Sequence, residues 1–502
     1  MGRTVLSAVL GMTAFIPMAF AQEAAAPAPG AGEAIPLETF SGKVLATGLE
    51  GPWEVAWGPD DMLWVTERAG KRVTRVDPAT GEAKPAITLD EVLVDQQHEG
   101  LLGLAFDPGF GKGSGNDYVY VTYTYDSTPA DGDEQDAPRA KIVRLTWDAD
   151  AQTLGEPKEL LSGIPAGNDH NGGRLAIGPD GMLYRTQGEQ GANQFGNYCK
   201  PIEAQRLPTQ AEVDAQDWSA YKGKVLRMAL DGSIPPDNPE IEGVRSHVFT
   251  YGHRNPQGIV FGPEGQIYES EHGPNTDDEI NMLQSGGNFG WPFVVGFRDD
   301  QSYAYANWSA APDCASLTWT NLTDAQSVPA DVPHQEESDW DGDFVEPLKT
   351  LFTVPSGQNL EDTACGELFF ICRPSIAPSG LDFYPEDGAI PGWGGSLLVT
   401  SLKGGAVYRF KLTEDGNWIR DTDRLFDTVN RYRDLAISPD GRTIYVSTDT
   451  GGLAGDALGG ATDQMANPGA ILAFTYTGEA TPAAGGEDAS APESDVDTGN
   501  GG

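Results

Sequence analysis

Few residues in this chain can move a proton near neutral pH: there are six histidines in 502 residues. One, His170, lies in Asn168-Asp169-His170-Asn171-Gly172-Gly173-Arg174-Leu175, with a carboxylate beside it and glycines just after. An imidazole next to a carboxylate suits a general base, and glycine lets backbone approach a ligand closely. Glu189, in Gln187-Gly188-Glu189-Gln190-Gly191, can return beside His170 across a strand-turn-strand. By themselves these residues fit a polar surface turn equally well.

Three further stretches carry chemistry. Gly252-His253-Arg254-Asn255-Pro256 ends one strand and opens the next. One hairpin later, Gly273-Pro274-Asn275 exposes backbone carbonyls beside Asp277, Asp278 and Glu279. Calcium takes oxygen ligands of that kind in flexible geometry, although the three acids alone read as readily as a solvated turn. Lys403 follows a later strand, and Arg431 and Arg433 alternate along an extended segment and so share a face. Together these cations can clamp a polyanion, since Arg matches carboxylates bidentately. Either arginine alone reads as a salt bridge between strands.

The elements that must position these groups repeat. Trp57-Gly58-Pro59-Asp60-Asp61, Ile177-Gly178-Pro179-Asp180-Gly181, Phe261-Gly262-Pro263-Glu264-Gly265 and Ile437-Ser438-Pro439-Asp440-Gly441 each join two apolar runs. Proline fixes φ and the Asp-Gly pair supplies the reversal, so each is a β-hairpin. Looser copies begin at Leu104 and Leu381. Six such copies predict an all-β fold, a six-bladed β-propeller in one domain over residues 40–476, with long inter-blade loops over the central channel. The longest insertion, 296–346, is of a length usually reserved for function. A short helix is expected near 209–219.

Residues 1–21 read as a signal peptide: Arg3, an apolar run and Ala19-Phe20-Ala21. Residues 22–39 are a flexible leader, and 477–502 an acidic tail with almost nothing to bury. The expectation is a periplasmic or secreted protein without membrane insertion. Export permits disulfides. The four cysteines allow three pairings; a local Cys365–Cys372 bridge closing a hairpin is favoured, leaving Cys199 and Cys314 to pair. A formal net charge of −43 argues against nucleic acid as a partner.

In this order, the segments resemble the soluble, calcium-dependent quinoprotein glucose/aldose sugar dehydrogenases, which use pyrroloquinoline quinone (PQQ). The resemblance runs from about Gly42 to Phe474 and includes Gly223-Lys224-Val225-Leu226-Arg227, Gly287-Asn288-Phe289-Gly290-Trp291-Pro292 and Tyr303-Ala304-Tyr305-Ala306-Asn307. It implies that His170 takes the C1 hydroxyl proton of an aldose as hydride passes to the quinone, giving a lactone. Asp169 shares that pocket, Glu189 orients the histidine, and Arg254 stabilises developing negative charge. The resemblance implies cofactor contacts from His98, Asp169, Gln194, Arg254, Asn255, Phe370, Arg373, Ser375, Lys403, Arg431 and Arg433. The carbonyls of Gly273 and Pro274 would hold one calcium, and those of Val295 and Phe297 with Asp299 and Glu337 a second. An unidentified electron acceptor and a possible homodimer are further implications.

Departures fall on the substrate side. Glu189 stands where the family has an aspartate, and His98 and His272 where it has other pocket residues. Phe195, Phe370 and Arg373 replace a leucine, a tyrosine and a tryptophan. Glucose specificity is therefore not expected to carry over. A calcium-dependent lactone hydrolase and a non-catalytic binding module use the same architecture, but neither requires the cationic clamp.

Overall fold

In the computed structural model the hairpin shared by the repeats is the inner half of a blade. The structure describes residues 39–95, 98–128, 138–323, 327–361, 365–456 and 458–478. The expected signal peptide, most of the leader and nearly all of the tail lie outside them. Six four-stranded antiparallel sheets are present among the described residues. Their first strands are Pro52–Trp57, Leu101–Phe106, Leu175–Ile177, Pro256–Phe261, Pro378–Tyr384 and Tyr432–Ile437. Each touches the first strand of the next blade, and the ring closes from the sixth onto the first. The last blade takes its outer strand, Phe40–Ala46, from the start of the described chain, paired antiparallel with Ile471–Tyr476. The two ends thus lock the ring.

Why the turns look as they do is local. In three of them the glycine N–H donates to the carbonyl four residues on, as in Gly58 to Met62 at 2.7 Å and Gly178 to Met182 at 2.9 Å. A Cβ on Gly58 would lie 2.4 Å from Trp64 Cδ1, so the close approach requires glycine. The third residue after it, or after Ser438 in the fourth turn, is left-handed: Asp61 (φ 57°), Gly181 (74°), Gly265 (87°) and Gly441 (68°), which Gly and Asp accept most easily.

The core is divided among the seams. Six buried clusters each lie between neighbouring blades; the one between the first and second contains Trp64, Val73, Leu104, Val121 and Trp147. The insertion after the fourth blade's third strand packs Trp308, Val328 and Val332 into its own small core, which Cys199–Cys314 pins to the third blade's loop. Cys365 and Cys372 are also bridged, but the segment between them is not a hairpin. It is a 3-10 turn, Gly366–Leu368, running into a helical turn, Phe369–Cys372. Seven residues make two helical turns and return to the same face. The expected short helix is Gln210–Ala215, with a Thr209/Glu212 capping box.

At the channel, Arg174 Nη1 lies 2.7 Å from Glu54 Oε2 and 2.9 Å from Asp434 Oδ2, and its Nε donates to Gln257 O at 3.0 Å. Asp434 Oδ2 also accepts from Val55 N at 2.7 Å. This buried knot joins blades one, three, four and six. Replacing Arg174 by Met strands two buried carboxylates, and is expected to lower unfolding free energy by about 3–5 kcal/mol. Denaturant unfolding checks this; the triple change Arg174→Met, Glu54→Gln, Asp434→Asn should recover part of the loss.

Candidate functional site

First strands begin, and second strands end, at one mouth of the channel. Residues just before a first strand (Gly172, Asn255, Ala377, Arg431) and just after a second (Arg68, His272, Leu402) line a cavity of about 140 Å³ there. Trp53, His98, Asn171, Gln257 and Arg433 complete it. In a chain of net charge −43, three guanidiniums around one cavity form an anion-attracting mouth.

His170 is buried at this mouth in a left-handed conformation (φ 42°). Its Nδ1 is 2.6 Å from Glu189 Oε1. So short a contact with a carboxylate places the ring proton on Nδ1 and leaves Nε2 free to accept one. Glu189 is itself fixed: its carboxylate accepts from Gly191 N at 3.0 Å and Ala192 N at 2.8 Å, and its own N–H donates to Arg254 O at 3.0 Å. The glutamate thus reaches the histidine despite its extra methylene.

Facing Nε2 are Gln194 Nε2 at 3.3 Å and Asp169 Oδ1 at 3.7 Å. Gln194 donates to Asp169 Oδ2 at 2.8 Å and accepts from Arg254 Nη2 at 2.8 Å. Burial disfavours the charged form of Asp169, but His170, His98 and Arg254 outweigh it and hold the carboxyl at about 2. An ionised carboxylate therefore stands beside the imidazole that would gain charge. His98 Nε2 lies 3.4 Å from Asp169 Oδ1, and burial lowers that imidazole to about 4. Arg254 lies over the Trp291 ring at 5.5 Å, with a buried Nε lacking a hydrogen-bond partner.

Of the cations expected to form a clamp, Arg431 and Arg433 are brought together, but with a counter-ion that the sequence reading missed. Asp449 takes Arg431 Nε at 3.1 Å and Arg433 Nε and Nη2 at 2.9 and 2.8 Å. Burial works against its charge, yet the two guanidiniums hold it at about 2. Arg68 was missed as well. Both follow the second strand of a blade, as His272 does, so superposing the repeats would have exposed them. Lys403 Nζ donates to Arg373 O at 2.9 Å and Ser375 Oγ at 2.7 Å. Asn255 Oδ1 accepts from Gly172 N at 3.3 Å.

Arg373 is buried against its neighbours. It is 3 % exposed, sits 4.6 Å over the Phe369 ring and bonds Asn275; its Nε and Nη2 have no partner. Phe195 and Phe370 are exposed, and Phe195 meets Trp319 at 5.0 Å between centroids. Gly273 N donates to Asp278 Oδ1 at 3.0 Å, and Pro274 borders a small cavity shared with Gln194 and Trp319. Glu337 is buried and gathers Val295 N at 2.9 Å, Asp299 N at 3.2 Å and Asp300 N at 3.0 Å, around the loop that also carries Phe297. Burial pushes this carboxyl up to about 7.

The glucose/sorbosone dehydrogenase family model matches residues 49–345 and 353–454. The chain is 45% identical over 444 residues to quinoprotein glucose dehydrogenase B of Acinetobacter calcoaceticus, covering 88% of this chain and 91% of that one. It is 28% identical to aldose sugar dehydrogenase YliI of Escherichia coli, over 82% of this chain and 90% of the other. The PQQ-bound structure of an aldose sugar dehydrogenase from Streptomyces coelicolor superposes with a TM-score of 0.57 at 26% identity, covering 88% of this chain and 99% of that one.

Glu189→Gln keeps the shape but removes the charge that holds the Nδ1 proton. Turnover should fall by about two to four powers of ten, the scale seen when a histidine's orienting carboxylate is neutralised, with an unchanged circular dichroism spectrum. Steady-state rates within threefold of the parent would show that Glu189 does not orient His170.

Proposed function

The chain belongs to the glucose/sorbosone dehydrogenase family, and from that premise we propose a PQQ- and calcium-dependent dehydrogenase that oxidises an aldose at C1 to its lactone. The observation that carries this is His170, with Nδ1 held by Glu189 and Nε2 facing an ionised Asp169, at the rim of a cavity lined by Arg68, Arg431 and Arg433. A proton acceptor beside a polyanion receptor is what sugar oxidation by a carboxylated quinone requires.

The donor set suits that quinone: three guanidiniums line the cavity, and Arg254 Nε is a buried donor without a partner. Arg68, Arg431, Arg433, Lys403 and Asn255 would hold its carboxylates and edge. When bound, PQQ supplies the two-electron acceptor for the hydride of the sugar C1–H. The carbonyls of Gly273 and Pro274 would take the activating calcium, and Val295, Phe297, Asp299 and Glu337 a second ion.

His170 Nε2 accepts the C1 hydroxyl proton. Glu189 keeps the ring oriented, and Asp169 stabilises the imidazolium. Gln194 occupies the space before Nε2 through bonds to Asp169 and Arg254, so an incoming hydroxyl takes over its place. Arg254 supplies positive charge where negative charge develops. The signal-peptide pattern of residues 1–21 and the disulfides Cys199–Cys314 and Cys365–Cys372 support export to an oxidising compartment.

Four outcomes are expected. Apo-protein loaded with PQQ and calcium should reduce a dye only when an aldose is added and should not hydrolyse lactones; the reverse pattern would make it a hydrolase. His170→Ala should leave PQQ binding largely intact and lose about two to four powers of ten in turnover, whereas Arg431→Ala should weaken PQQ binding, measured by titration, more than it alters folding. Finally, with Phe at 195 and 370 and no aromatic at 373, the site lacks one hydroxyl partner and one flat platform, so discrimination among aldoses should be loose. A panel of mono- and disaccharides compared by kcat/KM checks this, and a strong preference for glucose would refute it.

A further inference from the structure

The seam between the third and fourth blades holds charges that none of the chemistry above uses. Ile267–Glu271 and Asp278–Met282 are antiparallel neighbours in the fourth blade, with Glu269 opposite Asn281 and Glu271 opposite Glu279. Alternation puts all four polar side chains on one face, toward His253, which stacks on Phe289 at 4.6 Å between centroids. The other face carries Tyr268 and Ile280 into the apolar seam with the fifth blade. Glu269, Glu271, Glu279, Asn281 and His253 are all buried. Among the described residues, no lysine or arginine forms a salt bridge with any of the three glutamates.

We propose that this seam binds one divalent transition-metal ion of the Zn2+ kind through His253, Glu269 and Glu271. One candidate ligand atom from each of the three lies within 4.8 Å of the others. His253 Nδ1 and Glu271 Oε1 are 3.4 Å apart. That is long for an N–H···O hydrogen bond, but it matches the roughly 3.4 Å edge between two ligands each about 2.1 Å from a tetrahedral ion. Two buried oxygens point independently to an absent partner: Glu269 Oε1 and Asn281 Oδ1 have no hydrogen-bond donor. The outer contacts that a metal-bound set needs are present. His253 Nε2 is bonded to Thr250 Oγ1 at 2.9 Å, and Glu269 Oε2 accepts from Asn281 Nδ2 at 3.0 Å. Glu271 Oε2 accepts from Arg254 N at 2.8 Å. Imidazole with carboxylates selects a transition metal over calcium, which takes oxygen alone.

A cation among these buried carboxylates would offset the cost of keeping them charged away from water. The position also gives the ion a consequence. His253 and Glu271 flank the backbone of Arg254, whose carbonyl holds Glu189 N. An ion there would brace the turn that places Arg254 and, through Glu189, His170. It is a positioning element and does not touch substrate.

The full-length protein, produced with Zn2+ or Mn2+ and dialysed against excess calcium, should retain close to one transition-metal ion per chain by mass spectrometric metal analysis. X-ray absorption should show nitrogen and oxygen neighbours at about 2.0–2.2 Å. Glu269→Gln should bind the ion about 10–100-fold more weakly and melt at a lower temperature that added Zn2+ no longer raises. Wild-type protein with negligible Zn2+ and Mn2+, or with calcium only, would overturn the proposal, because the carboxyls would then be held by shared protons. Equal Zn2+ retention by wild type and Glu269→Gln would overturn it too. The wild-type metal content decides the matter even if the variant does not fold.

Discussion

Arg174 is the constraint on which the rest depends. It projects from the start of the third blade's first strand into the channel, where its guanidinium meets Glu54 of the first blade and Asp434 of the sixth. A propeller's inner strands diverge only slightly, so side chains there meet several blades at once. Trp53 covers the same guanidinium at 4.3 Å. The knot lies directly beneath the cavity mouth: Arg174 is three residues from Asn171, and Asp434 follows Arg433. Ring closure and site assembly are therefore one event, since the chemical residues hang on strand ends whose spacing the knot fixes.

Above it, the site is a chain of mutual restraints rather than a set of independent groups. Arg254 illustrates this: its carbonyl holds Glu189, its Nη2 holds Gln194, and its N–H is held by Glu271. Gln194 in turn restrains Asp169, and Glu189 restrains His170. A shift of any one backbone segment would disturb proton acceptance and charge stabilisation together, which is why buried polar networks behave cooperatively. The same economy appears at the clamp, where Asp449 holds Arg431 and Arg433 together although their like charges repel.

Much of the fold was legible because it repeats. A Gly-Pro-Asp-Gly turn between apolar runs has one cheap backbone solution, and six such solutions have one cheap way to bury their faces. His170 and Glu189 were legible for a related reason, since a short hairpin connection limits where the second carboxylate can go. Asp449 and Arg68 were harder to read: each stands just after the second strand of its blade, a position that marks it only once the blades are laid over one another. The Cys365–Cys372 segment misled because a seven-residue spacing serves a hairpin and a helical turn equally, and its apolar residues suit both.

The sequence by itself determined the hairpins, the number of blades, the cysteines available for bridging and the residue types able to accept a proton or attract an anion, because each depends on local backbone preference or on composition. Only the tertiary structure decided the partners. It set Glu189 against Nδ1 and Gln194 against Nε2, gave Arg431 and Arg433 a shared counter-ion, laid Arg373 over Phe369, and gathered His253, Glu269 and Glu271 in one seam. Those pairings depend on how the blades are spaced around a common axis, a distance that closure of the whole ring sets and that no short stretch of chain encodes.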